Sequence, residues 1–246
     1  MVDISTDNTF LVRVRMIDRP GALGAIASRI GAVRGDLVGI EIMERRNGFV
    51  IDELQVALPA GDLCDLMVRE LDDIDDVTVE DVHPCAQSLH DPQLTAFEVV
   101  DILIGADSTD ELLWSLSAHT RRTIRTAWVC VVDDGGQILA GSGPVPEERW
   151  LGRLLDAERA MARRPADGGE VPLDADHLLW MPLPMAGLTL VAGRSALPFR
   201  SRERQKAAAM ARVAGTWYQR LKERSRLTGM LAHPSLGTPV RVDHPA

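Results

Sequence analysis

Residues 10–24 read Phe10-Leu11-Val12-Arg13-Val14-Arg15-Met16-Ile17-Asp18-Arg19-Pro20-Gly21-Ala22-Leu23-Gly24. Phe10, Val12, Val14 and Met16 recur with period two, the pattern of a strand with one buried face. Asp18-Arg19-Pro20-Gly21 breaks that strand, and Leu23, Ile26, Ala27, Ile30 and Val33 resume at helical spacing over Ala22 to Val33. A strand that turns on Pro-Gly into a helix leaves the first helical N–H groups unpaired beside the loop. Those donors and the helix dipole both favour negative charge, so such a corner can hold the carboxylate of a small molecule. The stretch carries no nucleophile and no acid/base pair, which points to recognition rather than catalysis.

Working outward, Gly35-Asp36 turns the chain into an alternating run from Leu37 to Glu44, with Val38, Ile40 and Ile42 on one face. Asn47-Gly48 follows, the strongest short-range hairpin signal. The returning strand, Phe49 to Leu58, puts Val50, Asp52, Leu54 and Val56 on one face and Ile51, Glu53, Gln55 and Ala57 on the other. Leu63, Leu66, Met67, Glu70 and Leu71 mark a second helix. The acidic turn Asp72-Asp73-Ile74-Asp75-Asp76 then leads into a strand from Val77 to Val82. The order is strand, helix, strand, strand, helix, strand, a split βαβ arrangement of the ferredoxin-like kind.

Residues 9–83 resemble the ACT domain, a ligand-sensing module attached to many amino-acid-metabolising enzymes. The resemblance rests on the Asp18-Arg19-Pro20-Gly21-Ala22-Leu23 corner and on the element order with its hairpin. It implies binding of an amino acid or related metabolite at this loop, across an interface between two such domains. Carried over by position, the ligand-binding residues are Asp18, Arg19, Pro20, Gly21, Ala22 and Leu23. Many amino-acid-binding members carry Asn where Asp18 stands, and an aspartate there attracts an amine and repels a carboxylate. The residues alone leave a plainer alternative open, because Pro and Gly punctuate any strand-to-helix turn.

Residues 1–8 read as an N-terminal extension and the proline-marked segment 84–93 as a linker. Beyond it, Leu94 to Ile104 and Asp110 to Ile124 have helical spacing, the second capped at Ser108. Ala127 to Val132 and Gln137 to Ala140 pair around Asp133-Asp134-Gly135-Gly136; Glu147 to Arg163 is helical; Leu178 to Pro184 and Leu188 to Arg194 pair around Gly187. A long helix from Arg202 to Arg226 closes the pattern, with Ala207, Met210, Ala211, Ala214, Trp217, Tyr218 and Leu221 as its apolar stripe. This order over residues 94–226 resembles a GAF domain, an antiparallel sheet flanked by helices, and the fold class expected for the chain is α+β. Nothing matches that family's cyclic-nucleotide or bilin-attachment signatures. Residues 227–246, with Pro234, Gly237, Pro239 and Pro245, read as a loose tail.

Charge is unevenly placed along the 246 residues. Residues 1–100 carry 8 Lys/Arg against 19 Asp/Glu, and the remainder 19 against 17, so the net −9 lies in the first part. An acidic first domain repels phosphates, so no nucleic acid partner is expected. Glu203 and Glu223 interrupt the basic face of the closing helix, which reads as a solvated face. Leu178 to Gly193 is broken by Pro182, Pro184 and Gly187, so no membrane span is expected, and no secretion leader is legible. Cys64, Cys85 and Cys130 are sparse and form no CxxC, which suits reduced thiols in a cytoplasm.

Competing sites read more plainly. His83, Cys85 and His90 have no zinc-ligand spacing and no fourth partner, so neither a metal nor a cofactor is expected. Cys130 lies among apolar neighbours as a buried thiol. Ser115 and His119, four apart on one helix, read as surface neighbours rather than nucleophile and base. No GxSxG, HExxH, P-loop or GxGxxG occurs between strand and helix. The expected protein is a non-catalytic sensor that pairs as a homodimer through hairpin faces with no evident internal cover. Two other classes stay open: a regulatory subunit or transcriptional co-regulator acting by protein contacts, and an enzyme with an unrecognised site in the second domain.

Overall fold

The computed structural model describes residues 8–85, 92–162 and 176–232. The 1–7 extension, most of the linker with His90, Arg163 and the 233–246 tail lie outside the described residues. Among those described, the chain divides into two compact units, residues up to Val99 with Ala196–Ala207, and Val100–Ser195 with the chain from Ala208 onward. Each unit is mixed α and β around its own four-stranded antiparallel sheet.

The first unit runs β1 (Thr9–Ile17), α1 (Ala22–Ala32), β2 (Asp36–Arg46), β3 (Phe49–Ala57), α2 (Cys64–Asp72) and β4 (Val77–Pro84). The strand–helix–strand–strand–helix–strand order is the one expected, and the strands lie β2-β3-β1-β4. Alternation puts Val12, Val14 and Met16 of β1 and Val50, Leu54 and Val56 of β3 on one face, buried against Ile26 and Ile30 of α1 and Met67 and Leu71 of α2. The β2–β3 hairpin turns on Asn47 and Gly48, both left-handed at φ 53° and 77°, as a two-residue turn between twisted strands requires. The stripe of α1 that meets the sheet is Ala22, Ile26 and Ile30. Leu23, expected on that stripe, lies one position round the helix and is 36% exposed.

On the hairpin's apolar row Ile40 and Ile42 stay exposed, at 46% and 51%, while the opposite face of this sheet is covered. One register row crosses all four strands as Glu41, Glu53, Arg13 and Asp81. Arg13 is 2% exposed, which only a cover over that face can produce. Residues Ala196–Ala207, expected in the second domain, group with the first unit and supply the cover. Arg13 donates to Glu53 at 3.0 Å and to Glu203 at 3.1 Å. Arg200 donates from one nitrogen to both oxygens of Glu80, at 2.7 and 2.8 Å. Glu80 is the residue skipped where the β1–β4 register shifts, so an irregularity in the ladder presents this carboxylate. Glu41 accepts from Arg202 at 3.0 Å and from Lys206 at 2.7 Å. The basic start of the closing helix therefore pairs with the sheet, Lys206 half-buried and Arg202 still exposed.

The second unit contains the remainder of α3 (Pro92–Gly105), α4 (Thr109–Thr123), β5 (Trp128–Asp133), β6 (Ile138–Ser142), α5 (Glu148–Ala162), β7 (Leu178–Leu183), β8 (Leu188–Gly193) and most of α6 (Ser201–Ala232). Its strands lie β6-β5-β8-β7. Ser108 caps α4 as expected, accepting from the Glu111 N–H at 3.2 Å, while Glu111 accepts from the Asp107 N–H at 2.9 Å. The α6 helix continues to Ala232, so 227–232 is helical where a tail is expected; its residues Leu227 to Ala232 contain no Pro to stop it.

Candidate functional site

The Asp18–Leu23 corner is built by the strand's end and the helix's start. Asp18 N–H donates to the Gly48 carbonyl at 2.8 Å, which ties the loop to the hairpin turn. Pro20 and Gly21 then reverse the chain, and Gly21 is the N-cap of α1 at φ 88°, a conformation that costs a side-chain-bearing residue roughly 1–2 kcal/mol. A Cβ built on Gly21 would have no atom within 4 Å, so its backbone faces open space. Ala22 N–H is taken by the Arg19 carbonyl at 3.2 Å, and Ala25 N–H opens the helical ladder on the Gly21 carbonyl at 3.0 Å. The N–H groups of Gly21, Leu23 and Gly24 make no hydrogen bond among the described residues, and no side chain caps the helix. Arg19, Pro20, Gly21 and Leu23 are exposed, whereas Ala22 turns into the core.

Asp18 forms an ion pair with Arg45 at 2.9 Å. Arg45 follows the exposed Ile40 and Ile42 on β2 and comes from outside the quoted corner. The pairing partly cancels the repulsion that Asp18 would exert on a ligand carboxylate. Sequence alternation shows Asp52 on the apolar face of its strand. Asp52 stands opposite Val14 and Ile42, is 4% exposed, and its Oδ1 is buried without a hydrogen-bond partner among the described residues. Burial raises its pKa above 3.8; Arg45 opposes that shift and Asp18 adds to it.

The other candidates fall differently. His83 pairs with Asp81 at 2.5 Å, and no three His, Cys, Asp or Glu side chains among the described residues are grouped to hold a metal ion. Cys130 is fully buried and its pKa is pushed up to about 12 by burial, so it is a thiol at neutral pH. Ser115 is buried rather than a surface neighbour of His119, because α4 turns that side inward with Leu112 and Leu116. Burial and Arg122 lower the His119 pKa. Between β5, β8 and α5, the side chains of Cys130, Val132, Val191, Leu151 and Leu155 form a core with Trp128 and Trp180 packed on it. Gly193 is required there, since a Cβ would lie 2.4 Å from the Trp128 ring.

No protein-family model matches the chain, and no curated protein matches it. Among solved structures, the GAF domain of an Acinetobacter phosphoenolpyruvate-protein phosphotransferase is 13% identical, with 55% of this chain and 97% of that one covered at TM-score 0.38. The bacteriophytochrome RpBphP3 of R. palustris is 12% identical, with 76% and 43% covered at TM-score 0.43. The phytochrome photosensory core module of Stigmatella aurantiaca is 12% identical, with 77% and 44% covered at TM-score 0.32. The chain thus spans less than half of either phytochrome. Likenesses this remote extend to mixed helix-and-sheet architecture and convey nothing about ligand or activity. No helix among the described residues is long and apolar enough to cross a membrane.

Proposed function

We propose that the protein is a non-catalytic regulatory sensor, with an ACT-like, ferredoxin-like first unit that binds an amino acid or related metabolite at the Asp18–Leu23 corner and a GAF-like second unit. One observation carries this reading: three N–H groups, at Gly21, Leu23 and Gly24, make no hydrogen bond among the described residues at an exposed helix start. Free donors beside a positive helix end form an anion site ready for a carboxylate. Binding would regulate by favouring one pairing of two first units over another, which requires different affinities for the two arrangements.

A thermal-shift screen of the twenty L-amino acids and common nucleotides tests it. An amino acid raises the melting temperature of the wild-type chain, since a ligand that binds only the folded state stabilises it by mass action. Gly21→Val abolishes the rise while the variant still melts cooperatively, because the side chain forces a strained φ and projects into the open space before the helix. A rise that survives Gly21→Val moves the site elsewhere. No rise with any compound removes the reading.

A further inference from the structure

Residues 196–207 follow β8 in the chain, yet they group with the first unit and cover the Arg13 face of its sheet. Their ties to that face run through charge. Arg13 on β1, Glu41 on β2 and Glu80 on β4 pair with Glu203, with Arg202 and Lys206, and with Arg200. Glu44 on β2 adds a hydrogen bond from Ser201 at 3.3 Å and lies 3.6 Å from Arg200. The fit strands several donors: Arg13 Nε and Nη1, Gln55 Nε2 and Arg200 Nε are buried without a hydrogen-bond partner among the described residues. Gln55 lies two residues beyond Glu53 on the same covered face. Buried polar atoms are nearly always paired, so four stranded donors mark a closed state that gives up hydration without full return. The attraction between buried Arg13 and Glu203 also does little more than offset their dehydration. Water recovers all of these groups when the segment lifts. The other side of the sheet differs, since α1 and α2 close it with hydrocarbon.

We infer that residues 196–207 form a strap that opens from the first sheet at a lower free energy than the sheet itself unfolds, with the Glu41 pairs as its salt-sensitive latch. Local opening of this kind is drawn from contacts that bury little hydrocarbon. Arg202 is 50% exposed and Lys206 24%, so dissolved ions reach the latch. The Debye length shrinks to about 3 Å at 1 M salt, which screens those two pairs. The Arg13–Glu203 pair is too buried for screening and parts only after the latch has released. Opening bares Glu41, Glu44 and Glu80, an acidic face that the closed strap withholds from basic partners. The device does not depend on what binds the Asp18–Leu23 corner.

The test places a thiol under the strap by Gln55→Cys and another on the helix-facing side of the same sheet by Val14→Cys, each in the full chain. Labelling by iodoacetamide is read thiol by thiol from peptide masses, at low salt and in 1 M NaCl, with and without Glu41→Gln. Support consists of labelling in Gln55→Cys at least tenfold faster than in Val14→Cys, because the first needs only the strap to lift. That rate rises about tenfold in 1 M NaCl, rises similarly in Glu41→Gln at low salt, and gains little from salt once Glu41 is replaced. Equal rates at the two positions overturn the strap, since the cover then leaves only when the sheet unfolds. A rate indifferent to salt and to Glu41→Gln overturns it too. Hydrogen exchange of the wild-type chain decides the matter even if a variant misfolds. Amides of 201–207 exchange faster than those of β1 and β3, and the gap widens in 1 M NaCl; a gap that is absent or unmoved by salt overturns the inference.

Discussion

Asp52 carries a negative charge where the rest of its strand face is hydrocarbon, and its titration has a defined consequence for stability. Burial raises its folded pKa above the unfolded value near 3.8. A carboxyl raised in this way contributes stability that is fully present below pH 3.8 and is lost as pH climbs through the folded value. Asp52→Asn removes the charge and the loss with it. The ligand-free variant is therefore more stable than wild type at neutral pH. The margin shrinks toward zero at pH 4. Urea unfolding of both chains at the two pH values measures this; a margin that does not change with pH contradicts it. Alternation placed Asp52 on the apolar face from the sequence, but its closeness to Asp18 and Arg45 depends on how the hairpin returns beside β1.

The first turns of α6 act on the sheet of the first unit through charge. Burial works against the Arg13 guanidinium, but Glu203 and Glu53 outweigh it and hold its pKa above the usual value. Burial likewise opposes ionisation of Glu41, yet Lys206 and Arg202 bring its pKa below 4.5. A lowered carboxyl contributes stability that is present above pH 4.5 and fades as pH falls through the folded value. Arg13→Met removes the buried guanidinium that faces Glu53 and Glu203 and destabilises the chain by about 3–5 kcal/mol. Adding Glu203→Met on that background costs less than the same change in wild type, with a coupling of about 1 kcal/mol or more, read from denaturant melts of the four-chain cycle. Additive losses would mean that the 3.1 Å contact carries no energy. The basic start of this helix was legible as Arg202 and Lys206, but their acidic partner Glu41 lies 161 and 165 residues back in the chain, beyond any local pattern.

The same pairing recasts the charge asymmetry of the whole chain. The excess acid of the first 100 residues is partly met by a segment far along the sequence, which covers the Arg13 face of the first sheet. The proposed homodimer would use the apolar hairpin face that this segment does not cover. The edge strand β2 offers Ile40 and Ile42 at 46% and 51% exposure, beside a row of backbone groups open to pairing. Light scattering on the full chain is expected to give twice 26.9 kDa, falling to one copy in Ile42→Lys. A single copy in wild type, with and without amino acid, argues against pairing altogether.

Local chemistry was enough to place the strands, the Asn47–Gly48 hairpin, the Ser108 cap and the loop at Gly21. Each depends on periodicity or on backbone preferences acting within a few residues. The burial of Arg13, the grouping of 196–207 with the first sheet and the position of Asp52 beside Arg45 followed from contacts between segments remote in the chain. Charge shows in a sequence as composition, whereas its energy depends on distance and on exclusion of water, and those exist only once the strands are side by side.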